Sequence, residues 1–209
     1  MVKCIQEILV LASAKMNDKH YGGYPPSPVN INEYLNECAD VISNHQIDMD
    51  EEDILNLLQI KYRWPEPSMD VLNQCGVVST GFFDKNNFII YEMWKRLYDY
   101  GFTTLLRNVL DLTGQLRELN EKLLPLRGSD TIANFYLSKG TETRRPSYDP
   151  HNHDYNVIVK PIYGSSTWVI NGQSQKATPD SVVIVPAFSQ HSVIDSTEPR
   201  LSLTLNLTG

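Results

Sequence analysis

Of the five histidines in this chain, His151, His153 and His191 fall in the last third. The first two open the stretch Pro150-His151-Asn152-His153-Asp154-Tyr155-Asn156-Val157-Ile158-Val159. A His-x-His pair leading into an apolar run reads as a strand, where alternate side chains share a face. Both imidazoles can then reach one metal ion. His191 follows Ser181-Val182-Val183-Ile184-Val185-Pro186, an apolar strand stopped by proline, and can close the site from a neighbouring strand. Imidazole nitrogen suits Fe(II) and equally Zn, Mn or Ni, so the ligand set leaves the metal open. A single histidine on an apolar strand is ordinarily a satisfied core residue; three in this spacing favour metal.

Parity extends the argument. With His151 and His153 inward, Tyr155, Val157, Val159 and Tyr163 point inward too, and Asp154, Asn156, Ile158 and Lys160 point outward. Asp154 could ligate only through a β-bulge. In the last strand Arg200, Ser202, Thr204 and Asn206 share one face, and Leu201, Leu203, Leu205 and Leu207 the other. If the leucines pack beneath helices, the polar face turns inward and aims Arg200 and Ser202 at the metal pocket. A guanidinium fork there suits a carboxylate. Tyr155 and Trp168 read as packing aromatics. Arg144 and Arg145 read either as charges at the pocket mouth or as solvated loop residues.

The elements that must hold these groups divide the chain. Apolar spacing predicts helices over 3–16, from a cap at Asn30 or Asn32 to about 44, from Ile54 to Tyr62, over 68–75, over 86–111 with a break at Gly101, and from Gly114 to Leu126. Tyr21 to Pro28 is a loop, and Trp64-Pro65-Glu66-Pro67 ends a helix. The run Asp48-Met49-Asp50-Glu51-Glu52-Asp53 lacks the glycine and terminal glutamate of a calcium loop; its carboxylates fit the first turn of a helix. After Gly128 come short β-branched and aromatic runs: Thr131–Leu137, Tyr155–Ile162, Thr167–Ile170, Ser181–Val185, Ser192–Ile194 and Leu201–Leu207. So many strands with tight turns and no helix between them imply antiparallel sheets closed as a jelly roll or barrel. The expectation is an α+β chain, with a helical region over 1–128 and a β-barrel metal-binding domain over 129–209.

Bulk properties exclude several roles. The chain has 209 residues, 41% hydrophobic and 21% charged, with a net charge of −7. No basic stripe exists to displace counterions from nucleic acid. No run approaches membrane-spanning length, and Gln6 and Glu7 interrupt the apolar N-terminus that would otherwise imitate a signal peptide. Cys4, Cys38 and Cys75 are odd in number and widely spaced, as reduced thiols of a cytoplasmic protein would be. The helical half is compatible with a homodimer, and His20 and His45 within it carry no signal.

Together, His151, His153 and Gly164, then Asp180 through Pro186 to His191, resemble the two motifs of the cupin superfamily. Within it the chain is most similar to jumonji-type and related Fe(II)- and 2-oxoglutarate-dependent oxygenases. Ala133-Asn134-Phe135-Tyr136-Leu137-Ser138 looks like the strand before their metal motif. Gly164 to Trp168 has their Gly-x-x-x-Trp pattern, and Pro199-Arg200-Leu201-Ser202 after His191 is similar to a His…Arg-x-Ser ending. The resemblance covers residues 131–207.

It implies a double-stranded β-helix in which His151, His153 and His191 hold Fe(II), and Arg200 and Ser202 bind the far carboxylate of 2-oxoglutarate. No catalytic residue beyond the metal ligands is implied. The chain departs from the pattern at three positions: His153 stands where the oxygenases have aspartate, Ser166 where jumonji enzymes have lysine, and Val157 where cupins have glutamate. Three neutral imidazoles leave iron at +2, a charge that a 2-oxoglutarate dianion neutralises. The implied activity is hydroxylation of a small-molecule or peptide substrate. The alternatives are a three-His cupin dioxygenase that uses no 2-oxoglutarate, or a non-catalytic cupin that binds metal or a ligand.

Overall fold

The computed structural model describes residues 31–60, 68–73, 76–79, 81–127, 132–140, 148–195 and 198–207. The expected helix over 3–16, the loop at 21–28, the Trp64–Pro67 stop, His20, Cys4, Cys75, Arg144 and Arg145 lie outside these residues.

The leucine face of the last strand organises the architecture. Leu201, Leu203, Leu205 and Leu207 on β10 (Arg200–Leu207) are buried with Ala133, Phe135 and Leu137 of β4 (Ile132–Ser138). The same core takes Leu35, Cys38 and Ile42 of α1 (Ile31–Ser43) and Ile54 and Leu58 of α2 (Glu51–Gln59). Trp94 and Tyr98 of α3 (Tyr91–Asp99) and Leu116, Leu119 and Leu123 of α4 (Gly114–Arg127) complete it. Each element follows from its residues. In α1 the apolar positions recur at helical spacing. In α2 the acidic run caps the helix: the Asp50 side chain accepts from the Asp53 backbone N–H, and the Asp53 side chain accepts from that of Asp50. His45 is buried between helices; its Nε2–H donates to Gln115 O and its Nδ1 accepts from Lys122 Nζ, which ties the end of α1 to α4.

The remaining strands are β1 (Met69–Asn73), β2 (Gly76–Ser79), β3 (Thr103–Arg107), β5 (Asn156–Tyr163), β6 (Ser166–Ile170), β7 (Gln173–Ala177), β8 (Val183–Val185) and β9 (His191–Asp195). All the strand pairs are antiparallel. They form a seven-stranded sheet, β2-β1-β3-β4-β10-β5-β8, and a three-stranded sheet, β7-β6-β9. A bridge between His151 and His191 lays a further segment on the free edge of β9. From β4 onward the chain passes back and forth between the two sheets, which gives the jelly-roll arrangement of an α+β protein. One face of the large sheet carries the helices; the other faces the small sheet across a second core of Val157, Val159, Trp168, Ala177, Val183, Val185 and Val193. No helix among the described residues is long and apolar enough to cross a membrane.

Three expectations need correction, and one strand carried no signal. Residues 69–73 form β1, where a helix was expected over 68–75. The expected helix over 86–111 stops at Asp99; Gly101 turns the chain at φ 86°, and β3 follows. Thr103-Thr104-Leu105-Leu106 is short enough for either structure, and pairing with β4 decides it. The large sheet therefore runs across the division at residue 128, since β3 joins β4. The strand β7 gave no apolar signal because Gln173 to Lys176 are exposed on an edge strand, entered through an Asn171-Gly172 hairpin turn with φ 49° and 81°. Finally, Tyr163 packs with the helix-side core instead of pointing inward. The pairing of β10 with β5 slips between Leu201 and Ser202, which reverses parity at the end of β5.

Candidate metal centre

His151, His153 and His191 each offer a ring nitrogen, and these three atoms lie within 4.8 Å of one another. The rings sit 4.4 Å (His151 to His191), 4.7 Å (His153 to His191) and 6.1 Å (His151 to His153) apart, centre to centre. Two segments bring them together. His151 and His191 are direct partners across an antiparallel bridge, with N–H···O distances of 3.1 and 2.8 Å in the two directions. His153 arrives two residues later, on the approach to β5.

The hydrogen bonds fix the tautomers. His151 Nδ1 lies 2.8 Å from Asp149 O, His153 Nδ1 2.9 Å from Tyr155 O, and His191 Nδ1 2.9 Å from Ser189 O. A carbonyl oxygen can only accept, so each Nδ1 carries the proton and donates it. In a neutral ring this leaves Nε2 of all three with the lone pair. Backbone carbonyls on the non-ligating nitrogen are the usual orienting partners of metal-bound histidine. Burial lowers the pKa of His153 and of His191, which keeps their rings neutral and able to donate a lone pair. The donor set therefore fits a divalent cation that accepts imidazole.

Aromatic neighbours hold the rings. Tyr155 stacks on His153 at 4.0 Å with the planes 4° apart. Trp168 lies over His191 at 6.2 Å and 20°, and its Nε1–H donates to Ser166 Oγ at 3.2 Å. Thus Ser166 positions an aromatic. Val157 is buried in the cavity wall. Asp154 is exposed and outside the histidine group.

The loop before His191 is held at successive residues. Ala187 N–H donates to Asn156 Oδ1, Phe188 N–H to His153 O, Ser189 N–H to Pro186 O, and Gln190 N–H to Asn171 Oδ1. Asn171 also donates its Nδ2–H to Ser189 Oγ at 3.1 Å and its backbone N–H to Gln190 O at 2.8 Å. Asn156 and Asn171 were not singled out by sequence; the Asn-Gly pair at 171–172, a hairpin-turn signal that was not used, could have pointed to one of them. Asn171→Ala keeps the hairpin backbone N–H bond but frees Ser189 and Gln190. We expect metal affinity to fall by about 10–100-fold, the usual loss for an orienting partner, with the fold intact by circular dichroism. Unchanged affinity in a metal titration would show that the loop holds without it.

A cavity of about 340 Å³ joins the imidazoles to the polar face of β10. Arg200, Ser202 and Thr204 line it, on the face opposite the leucines. Arg200 is 2% exposed, and burial lowers its pKa to about 10 despite the opposing influence of Tyr136 and Tyr163. Its placement depends on Gly164 (φ 69°), where a Cβ would lie 2.1 Å from Pro199 O and 2.8 Å from Arg200 Cα. The start of β10 can pass only over a bare glycine.

No family model and no curated protein matches the chain. Solved structures similar to it include KdgF from Halomonas sp. (15% identity, 40% of this chain and 74% of that one, TM-score 0.34). A cupin superfamily protein from Desulfitobacterium hafniense DCB-2 is similar at 15% identity over 40% of this chain and 72% of that one, TM-score 0.33. A salicylate 1,2-dioxygenase from Pseudaminobacter salicylatoxidans shows 20% identity over 40% of this chain and 24% of that one, TM-score 0.32. At these scores they carry no functional weight; the fold rests on strand order and the site on its own geometry.

Proposed function

We propose that this protein is a non-haem Fe(II), 2-oxoglutarate-dependent oxygenase that hydroxylates a small-molecule or peptide substrate. The supporting observation is that one cavity has three lone-pair-bearing imidazoles in its wall and a desolvated guanidinium, Arg200, on its floor. His151, His153 and His191 hold the metal, which when bound supplies the activation of dioxygen that hydroxylation requires. Arg200 takes the distal carboxylate of 2-oxoglutarate through paired N–H donors, and Ser202, two residues along the same face, adds a hydroxyl. Val157, Trp168 and Val193 line the cavity with apolar surface and limit water around the reacting groups.

Anaerobic isothermal titration of iron-loaded protein with 2-oxoglutarate tests this reading. Saturable binding is expected for the wild type, with a loss of at least about 100-fold in Arg200→Gln, as for a charged partner worth about 3 kcal/mol. No heat from the wild type would remove the cosubstrate.

A second reading has a specific observation in its favour: among the described residues the histidine group contains no carboxylate. In a three-His dioxygenase without cosubstrate, the substrate itself would meet the metal and Arg200 would hold its carboxylate. Oxygen uptake with a thiol or catechol panel, in the absence of 2-oxoglutarate, separates the two. Stoichiometric zinc in protein purified without chelators, with no oxygen uptake on any substrate, would favour a binding protein.

A further inference from the structure

The cavity has a second cation that the cosubstrate leaves unused. Arg107 ends β3 and stands in register with Asn134 of β4, so the two side chains are neighbours on one face. Both line the cavity, together with His151. Asp70 of β1 forms an ion pair with Arg107 that anchors the guanidinium at the cavity rim, where its side chain is 31% exposed and within reach of a ligand. Asn134 supplies an independent observation. It is 6% exposed, and its Oδ1 has no hydrogen-bond partner among the described residues. A buried carbonyl oxygen in that state calls for an N–H or O–H donor.

This end of the cavity is distinct from the Arg200 end. Along β4, Asn134 pairs with Arg107 on one side and Thr204 on the other, and Ser138 pairs with Arg200. Four residues of strand separate the two levels, about 13 Å.

We propose that Arg107 and Asn134 form the substrate subsite, and that the substrate is a small α-amino or α-hydroxy acid. Its carboxylate meets the Arg107 guanidinium, and its adjoining amine or hydroxyl donates to Asn134 Oδ1. A volume of about 340 Å³, shared with a five-carbon cosubstrate, suits a single small acid. This rests on the oxygenase reading for the reaction, though binding at the subsite can be measured without it.

The probes are L-amino acids and L-2-hydroxy acids, each against its primary amide. They are titrated calorimetrically into the protein with and without Zn(II) and 2-oxoglutarate. At least one acid is expected to bind, with its amide weaker by about tenfold or more. Arg107→Gln and Asn134→Leu should each weaken the acid by about tenfold or more and change 2-oxoglutarate affinity by less than about twofold. Arg107→Lys, which keeps the charge beside Asp70, should fall between, and guards against a folding defect in the glutamine variant. The proposal is overturned if no acid binds, if acids bind the glutamine and leucine variants as they bind the wild type, or if Arg107→Gln loses 2-oxoglutarate and keeps the acid. If the wild type ignores 2-oxoglutarate but binds an acid through Arg107, the subsite stands and the cosubstrate reading fails.

Discussion

His191→Ala should abolish stoichiometric metal binding, and His153→Asp should retain it. The first outcome follows from position. His191 is the buried member of the group and lies closest to both other rings, at 4.4 and 4.7 Å between centres. Two imidazoles alone leave a divalent ion without the third protein donor that open catalytic sites use. A loss of more than about 100-fold is expected, beyond the range for orienting partners. The second outcome tests the kind of site. Aspartate at 153 restores the two-His, one-carboxylate set from the same backbone position, and that set binds Fe(II) with open coordination positions. If His153→Asp keeps both metal and 2-oxoglutarate, the oxygenase reading gains support. If it keeps metal and gives no 2-oxoglutarate binding where the wild type does, the third imidazole is required for the charge balance at the site. Metal analysis after gel filtration, with anaerobic calorimetry, reads both. Stoichiometric metal in His191→Ala would remove the histidine group from the account.

Gly164→Ala should cost about 4 kcal/mol or more of stability, the range that needs a named cause. Two causes coincide. The residue sits at φ 69°, where a Cβ is disfavoured, and that Cβ would overlap the Pro199 carbonyl oxygen at 2.1 Å. For a chain of this size the melting temperature should fall by on the order of 10 °C. Gly172→Ala separates the causes: it has φ 81° and nothing within 4 Å of where a Cβ would sit, so only the backbone term remains, about 1–2 kcal/mol. Because the clash at 164 falls on the backbone that carries Arg200, whatever Gly164→Ala protein folds should also bind 2-oxoglutarate more weakly. Equal melting temperatures for the two variants would show that the start of β10 can move aside, and would weaken the claim that Gly164 sets the guanidinium.

The parts legible in the sequence were those in which one periodic pattern had one physical solution. Alternating leucines and polar residues from Arg200 to Asn206 allow a strand with one greasy and one wet face, and little else. The acidic run before Ile54 could only be a helix start once its spacing failed as a calcium loop. The histidines were visible because His-x-His in extended backbone places two rings on one face. Short segments with two solutions were not legible. Thr103 to Arg107 became a strand because the edge of β4, well along the chain, was there to pair with. Gln173 to Lys176 pairs with its hairpin neighbour β6, but as an exposed polar edge strand it carried no apolar alternation to read.

By itself, the sequence determined the helical and β segments with sustained patterning, the three imidazoles and the polar face that carries Arg200. Tertiary structure alone decided that Asn156 and Asn171 would hold the loop before His191, that Tyr155 and Trp168 would brace the rings of His153 and His191, and that Arg107 would share a cavity with residues far along the chain. The physical reason is range. Periodicity reports which way a side chain points from its own backbone, whereas a cavity is made by which strands pair, and in this chain those pairings join segments that local pattern does not connect.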